Sequence, residues 1–492
     1  LRYREHLQQR YAAMLTSVGS IIALAGLVML TPILVLPFYP GETRHALAFL
    51  APALFLLVTG LILKKSYSAS STSDLTISEG GVIVLISWIT VTLVSAVPFR
   101  LVSGLPFSYG VFEAVSGWTT TGLSLVDVNT AGPMILLWRS TMQFFGGAGL
   151  AILVLSSVVG NTGIGISSAE GRGDQLEPNV RRSARLVMII YCSYAVTGIA
   201  AYVLAGMSVF DAVNHSFAAI STGGFSTRQA SIGFWNSPAI EGITVVLMLL
   251  GNLSFVTAWF LWRGNTRTAL GSGEVRLQTL LVLSAATGLF FLTCGGFFVL
   301  SGQEIRSALF EAVSASTTTG FSISSYSNWN PFGIFTIIIL MLIGGGTCST
   351  AGGIKQFRVY LLLKTLFWEM KCFLLPKSVV HDLSVKEGGG VVFPDESKVR
   401  QAATFTFMYM VVFLLGSLAL TAYDYPLQDS LFEFGSALGT VGLSVGVVSQ
   451  GMPTPVVWIL TVAMFLGRLE FLVVFVSMAK IARDLRAMKG RR

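Results

Sequence analysis

One short motif recurs four times along these 492 residues, and it constrains the fold more than any other feature. The copies are Phe112-Glu113-Ala114-Val115 leading to Thr119-Thr120-Thr121-Gly122-Leu123-Ser124, and Phe210-Asp211-Ala212-Val213 leading to Ser221-Thr222-Gly223-Gly224-Phe225-Ser226. The third is Phe310-Glu311-Ala312-Val313 leading to Thr317-Thr318-Thr319-Gly320-Phe321-Ser322, and the fourth Phe432-Glu433-Phe434-Gly435 leading to Gly439-Thr440-Val441-Gly442-Leu443-Ser444. Each ends Thr-x-Gly-(Leu/Phe)-Ser. The Phe-to-Gly spacing is 10 residues in copies one, three and four and 14 in copy two. Four extra residues make about one helical turn, so the second copy is expected to keep its facing with a longer helix. Recurrence of one unit along the chain marks a repeat architecture.

Every copy lies between two apolar runs, and the composition says what surrounds them. Hydrophobic residues make up 53% of the chain and charged ones 11%, against roughly 25% charged in a soluble domain. Runs at 83–97, 134–159, 186–204, 243–262 and 456–479 are near or beyond the ~20 residues a bilayer-spanning helix needs. The unit is therefore span, short helix, Thr-x-Gly loop, span. Two further spans, at about 15–37 and 46–63, precede the first unit, giving ten in all. The divisions are 1–80 for the leading pair, 81–182, 183–276 and 277–400 for the first three repeats, and 401–492 for the fourth with its tail. The first unit's second span is expected to reach about 160. Ten residues cannot cross a ~30 Å hydrocarbon core, so each loop must dip in and return on one side. Such backbone survives only when buried in protein or lining a water-filled path. Four dips predict an all-α membrane protein with a pseudo-fourfold ring around a central pore.

The formal charge of +8 does not indicate a nucleic-acid binder. Of 32 basic residues, 26 fall in alternate loops or at the termini, while Arg44, Arg100, Arg228 and Arg306 lie on the opposite side. Arg139 and Arg468 lie inside apolar segments. This positive-inside bias places both termini in the cytoplasm and the four Thr-x-Gly loops outside. Cys192, Cys294, Cys348 and Cys372 have no repeated close spacing, so neither a disulfide framework nor a zinc site is expected. The first apolar run is followed by another span rather than by a small-residue cleavage site, which reads as a span and not a cleavable signal.

A Thr-x-Gly segment suits a cation path. Glycine permits backbone angles that a Cβ forbids, and a ring of carbonyls can replace an ion's hydration shell. The preceding helix would aim the partial negative charge of its C-terminus at the axis. Glu113, Asp211, Glu311 and Glu433 are placed in the first turns of these helices, as helix-end stabilisers in preference to an ion-attracting vestibule. Ser208 and Ser430, three residues before their acids, match a capping arrangement.

With these motifs, residues 80–480 or so resemble the TrkH/KtrB family of bacterial potassium-uptake proteins, whose members look like four fused potassium-channel subunits. The two leading spans are similar to TrkH; KtrB lacks them. The resemblance implies potassium, with rubidium as its surrogate, coordinated by backbone carbonyls at residues 119–123, 221–225, 317–321 and 439–443. Gly122, Gly224, Gly320 and Gly442 would be the filter glycines, with Thr120, Thr222, Thr318 and Thr440 beside them. In related plant transporters a serine at the first glycine goes with sodium transport. This chain departs from copies one and three at the middle position, where Gly223 and Val441 replace Thr121 and Thr319.

Two features bear on gating. The segment Gly344-Gly345-Gly346-Thr347-Cys348-Ser349-Thr350-Ala351-Gly352-Gly353 interrupts the second span of unit three, and five glycines in ten residues should break a helix at mid-membrane depth. The resemblance implies an intramembrane gate under the filter; the alternative is a glycine seam for helix packing. It is no phosphate-binding P-loop, because Gln356 follows Lys355 and no strand precedes it. Arg468 lies 12 residues into an apolar span, where charges mark function by default. It reads either as a barrier to cations, as the resemblance implies, or as half of a buried ion pair.

Gly442-Leu443-Ser444-Val445-Gly446 fits the G-x-S-x-G pattern of serine hydrolases, but it is copy four of the repeat, and none of His6, His45, His215 and His381 lies on a full span to serve as base. A sodium- or proton-coupled symporter is the nearer alternative, and a pore subunit of a potassium-pumping ATPase a further one. The stretch 355–400 carries eight basic residues and a Gly388-Gly389-Gly390 turn, which suggests a small hairpin. No cofactor beyond the transported ion and no enzymatic site is expected. The resemblance implies a homodimer in the bacterial inner membrane with a separate TrkA- or KtrA-like nucleotide-binding ring.

Overall fold

The computed structural model describes residues 2–67, 76–149, 180–293, 302–376, 382–387 and 390–489. Two helices lead, Arg2–Val28 and Ala46–Tyr67, joined through the tight turns Thr31–Val35 and Pro40–His45. Their backbones touch: a Cβ on Gly19 would lie 2.6 Å from the carbonyl oxygen of Gly60, and one on Gly60 2.5 Å from that of Gly19. Small residues let helices approach this closely in a bilayer, where apolar burial supplies no drive. Arg10 on the first helix pairs with Glu79, which also closes a capping box with Thr76 at the start of Ile77–Ser95. The leading pair is thereby fastened to the first repeat.

The four units follow in order. Their first helices are Ile77–Ser95, Val180–Leu204, Gly273–Leu292 and Glu396–Thr421. On the last of these, Leu414, Leu415 and Leu418 are more than half exposed, an apolar surface suited to lipid and not to water. The pore helices are Phe107–Trp118, Val209–Ile220, Gly302–Ser316 and Leu427–Leu438. Three have 12 residues and the third 15, about 18 to 22 Å at the helical rise, too short to span. The fold is an all-α membrane protein, its one sheet among the described residues being the hairpin Val385–Glu387 with Gly390–Val392.

The second helix of each unit departs from a continuous span. Pro133–Ala148 ends at Gly149, with φ +85°. Pro238–Asn252 turns by 115° into Phe255–Trp262, and Thr454–Leu469 by 98° into the last helix at Glu470. Pro331–Ile343 stops at Gly344. Among the described residues, six helices are therefore long and apolar enough to cross a membrane, or eight with each bent pair as one span, where ten spans, one of them interrupted at 344–353, were expected. The expected run of the first unit to 160 lies outside the described residues, as does Cys294.

Two local expectations are corrected. The second pore helix is no longer than the first, because its Phe-Asp-Ala-Val string sits one turn nearer the N-terminus of a helix of equal length. Asp211 does lie in a first turn capped by Ser208, but Glu113 and Glu433 are seven residues into their helices and Glu311 ten. Ser430 is likewise inside its helix, whose cap position is Pro426.

Candidate functional site

The four Thr-x-Gly loops take one backbone course. Past each pore helix, Thr120, Thr222, Thr318 and Thr440 adopt φ of +58°, +52°, +53° and +51°, and Gly122, Gly224, Gly320 and Gly442 adopt +96°, +73°, +83° and +93°. Between them, the amides of Thr121, Gly223, Thr319 and Val441 donate to the carbonyls of Ser116, Ala218, Ser314 and Ser436 at 2.8–3.0 Å. A threonine in the left-handed region is costly. Four at equivalent places mark a conformation the surroundings impose.

These loops close into a ring. A Cβ on Gly122 would lie 2.2 Å from the carbonyl oxygen of Gly223, one on Gly224 2.2 Å from that of Thr319, one on Gly320 1.9 Å from that of Val441, and one on Gly442 2.1 Å from that of Thr121. Each glycine thus abuts the carbonyl of the next repeat, and the fourth returns to the first. All four glycines line one bowl with about 860 Å³ of room for water, whose wall includes Ser124, Arg139, Ser226, Ser322 and Ser444. Leu123, Phe225, Phe321 and Leu443 are buried. The carbonyls of Leu123 and Phe321 already accept from Ser116 and Ser314 at 2.6 Å. Behind the ring, the hydroxyls of Thr119 and Thr121 meet at 2.7 Å, as those of Thr317 and Thr319 do at 2.8 Å.

The pore-helix acids act on the chain that leaves the ring. Glu113 accepts from the Ser124 hydroxyl at 2.9 Å and from the amides of Leu125 and Val126. Glu311 accepts from the amides of Ile323 and Ser324 and from the Tyr326 hydroxyl. Glu433 accepts from the Ser444 hydroxyl at 2.7 Å and from the amides of Val445 and Val448. All three are fully buried, so they are neither first-turn dipole partners nor a vestibule. They are clamps. In copy two the equivalent place, nine residues before the glycine, holds His215, whose Nε2 meets the Ser226 hydroxyl at 2.9 Å. Asp211, one turn earlier, reaches past it to Thr227 at 2.6 Å and Arg228 at 3.1 Å. Sequence reasoning aligned on Phe and so missed His215; counting back from the glycine finds it.

Under the ring lies the glycine-rich segment. The chain leaves its helix at Gly344 and rejoins one at Gln356. The segment's two ends meet, with the Gly345 amide donating to the Gly352 carbonyl at 3.1 Å. Gly346 donates to the Asn252 side chain at 3.1 Å and Thr347 to Glu274 at 3.0 Å, while the Cys348 carbonyl accepts from Phe255. The Ser349 hydroxyl turns back to Gly346. At the top, the Thr222 hydroxyl donates to that of Thr350 at 3.1 Å, and the Gly352 amide donates to the Thr318 hydroxyl at 2.8 Å. A Cβ on Gly352 would lie 2.1 Å from the Thr440 hydroxyl. The segment therefore touches three of the four threonines from below. Arg468 makes the fourth connection, donating to the Thr350 carbonyl at 2.6 Å and to Gly146 and Gly147 of the first repeat at 2.7 and 3.3 Å. The nearby acid Glu470 pairs with Arg358 at 2.8 Å. Below, the cavity lined by Cys348, Gly352, Gly353, Lys355 and Arg468 offers only about 20 Å³ to water, roughly one molecule. Lys355, whose ammonium donates to the Ala351 carbonyl, was not singled out from sequence as part of this site.

The profile of a family described as a cation transport protein, TrkH, matches residues 51–485. An uncharacterized cation transporter of Methanocaldococcus jannaschii is 32% identical over 481 residues, covering 96% of each chain. The Trk system potassium uptake protein TrkH of Halomonas elongata is 31% identical over 476 residues, covering 93% of this chain and 96% of its own. The crystal structure of the potassium transporter TrkH from Vibrio parahaemolyticus superposes with a TM-score of 0.81 at 28% identity, over 95% of this chain and 98% of that one.

Proposed function

Since the chain belongs to the TrkH family of cation transport proteins, we propose that it takes up potassium, and rubidium in its place, through the ring formed by its four Thr-x-Gly loops. The observation that carries this reading is the closure of that ring, each motif glycine lying against the carbonyl of the neighbouring repeat. Carbonyls offered by a constrained backbone suit a weakly hydrated monovalent cation. The buried hydroxyls of Thr120 and Thr440 have no hydrogen-bond partner among the described residues, and they supply further oxygens at the inner side. The four pore helices end at the ring, where their dipoles favour positive charge.

In this reading the segment 344–353 and Arg468 form the gate. The segment fills the space under the threonines, and Arg468 adds a fixed charge and three bonds that hold it there. The Ser444 hydroxyl donates to Glu433 just as the Ser124 hydroxyl of copy one donates to Glu113, which supports reading it as a repeat anchor and not as a nucleophile. The protein works in the bacterial inner membrane with both termini in the cytoplasm, as a homodimer regulated by a separate nucleotide-binding ring; the charge bias supports the orientation and the family resemblance the assembly. Rubidium and sodium uptake into liposomes holding the pure protein tests the proposal. Rubidium should enter in preference to sodium, driven by membrane potential alone. Uptake that requires a sodium or proton gradient would instead favour a coupled symporter.

A further inference from the structure

The backbone of the ring repeats four times, but its support does not. In copies one, three and four a pore-helix serine stands three residues before the motif: Ser116, Ser314 and Ser436. Their hydroxyls hold the ring from behind, at the Gly122 amide and Leu123 carbonyl, the Phe321 carbonyl, and the Gly442 amide. Copy two has Ala218 at that place, and Gly223 where copies one and three have threonine. Copy two thus lacks one hydroxyl at the pore-helix end and one side chain in the loop.

Gln143 fills the gap from another repeat. It belongs to Pro133–Ala148 of the first repeat and is fully buried. Its amide nitrogen donates to the Gly223 carbonyl, and its amide oxygen accepts from the Phe225 amide at 3.1 Å. A Cβ on Gly223 would lie 2.4 Å from the Gln143 side-chain carbon. Gly223 is outside the set of positive-φ residues, so its lack of a side chain answers to Gln143 and not to backbone angle. In the second and fourth repeats the corresponding residue, three before the helix glycine that abuts the pore-helix end, is Met248 or Met464. A buried primary amide among such apolar counterparts must have both its groups bonded, and here both bonds go to the ring.

We infer that Gln143 is a positioning residue that completes the second quarter of the ring from the first repeat and sets its cation selectivity. The inference rests on the ring being the filter. Gln143→Leu keeps the bulk and removes both bonds. It should lower the rubidium-over-sodium preference in liposome uptake by about three- to tenfold, the loss of one to two net hydrogen bonds at the ring. Rebuilding the support of copy one, with Gln143→Ala, Ala218→Ser and Gly223→Thr together, should restore the preference to within about twofold of wild type, because compensating neighbours are not additive. A merely structural glutamine would change thermal stability without moving this ratio. Gly122→Ser, measured in parallel, separates the two levels. If it abolishes selectivity while Gln143→Leu retains it, the role of Gln143 is overturned and the filter stands. If neither variant alters selectivity, the filter assignment falls and this inference with it. Should Gln143→Leu fail to fold, the triple variant decides: wild-type selectivity supports the inference, and a triple variant that is unselective or does not fold overturns it.

Discussion

Arg468 looks from sequence like a lone charge in an apolar span, open to readings as a barrier or as half of an ion pair. The structure gives it neighbours that favour a third element: carbonyls of the glycine-rich segment and of the first repeat. A planar guanidinium can serve two sets of acceptors at once, whereas an ammonium is a single point of charge. The charge alone repels a cation by at least ~1 kcal/mol at moderate separation and an effective dielectric constant near 20, and each ~1.4 kcal/mol of barrier is about tenfold in rate. Arg468→Ala should therefore raise cation flux several-fold, and Arg468→Lys, which keeps the charge but not the bridge, should raise it less. Equal flux in the two variants, measured per folded protein in vesicles, would show that the charge itself contributes nothing.

At the scale of elements, the interrupted span was legible because five glycines in ten residues leave a helix little to stand on. The same device in the other repeats was not, since Leu253-Ser254 and Glu470 break their helices beside a single glycine each, Gly251 and Gly467, and without a glycine cluster. There the break is set by tertiary packing, which overrides propensity. Glu113, Glu311 and Glu433 were placed too near their helix starts and given the wrong task, because their partners lie a dozen residues on, across a turn that no periodicity encodes. Deleting 346–352 tests the segment's role. Its ends are already adjacent, so Gly345 can be joined to Gly353 with little movement: a Cβ on Gly344 would lie 2.6 Å from the Gly353 Cα. Removing the plug while sparing the ring should increase rubidium flux and leave selectivity unchanged. Lower flux per folded protein, with reduced thermal stability, would mean that the segment packs helices and gates nothing.

For the whole molecule, the sequence carried the architecture in its repetition: four similar strings, four re-entrant loops, one ring. What it did not carry is how the ring is held where the fourfold symmetry fails. Copy two uses His215 where the others use glutamate, and Gln143 where they use serine; copy four replaces the threonine pair behind the ring with Gly439 and the buried Val441. Of these exchanges, the one by Gln143 joins residues far apart in the chain and becomes visible when the repeats are closed on each other. The central claim is that the four loops act as one selective ring, and the most direct measurement is the rubidium-to-sodium uptake ratio of the four single variants Gly122→Ser, Gly224→Ser, Gly320→Ser and Gly442→Ser. Each added Cβ meets a neighbouring carbonyl at about 2 Å, by the same geometry at every quarter, so all four variants should fold with a distorted ring and show a reduced ratio. Folded variants that keep the wild-type ratio at all four positions would contradict the account.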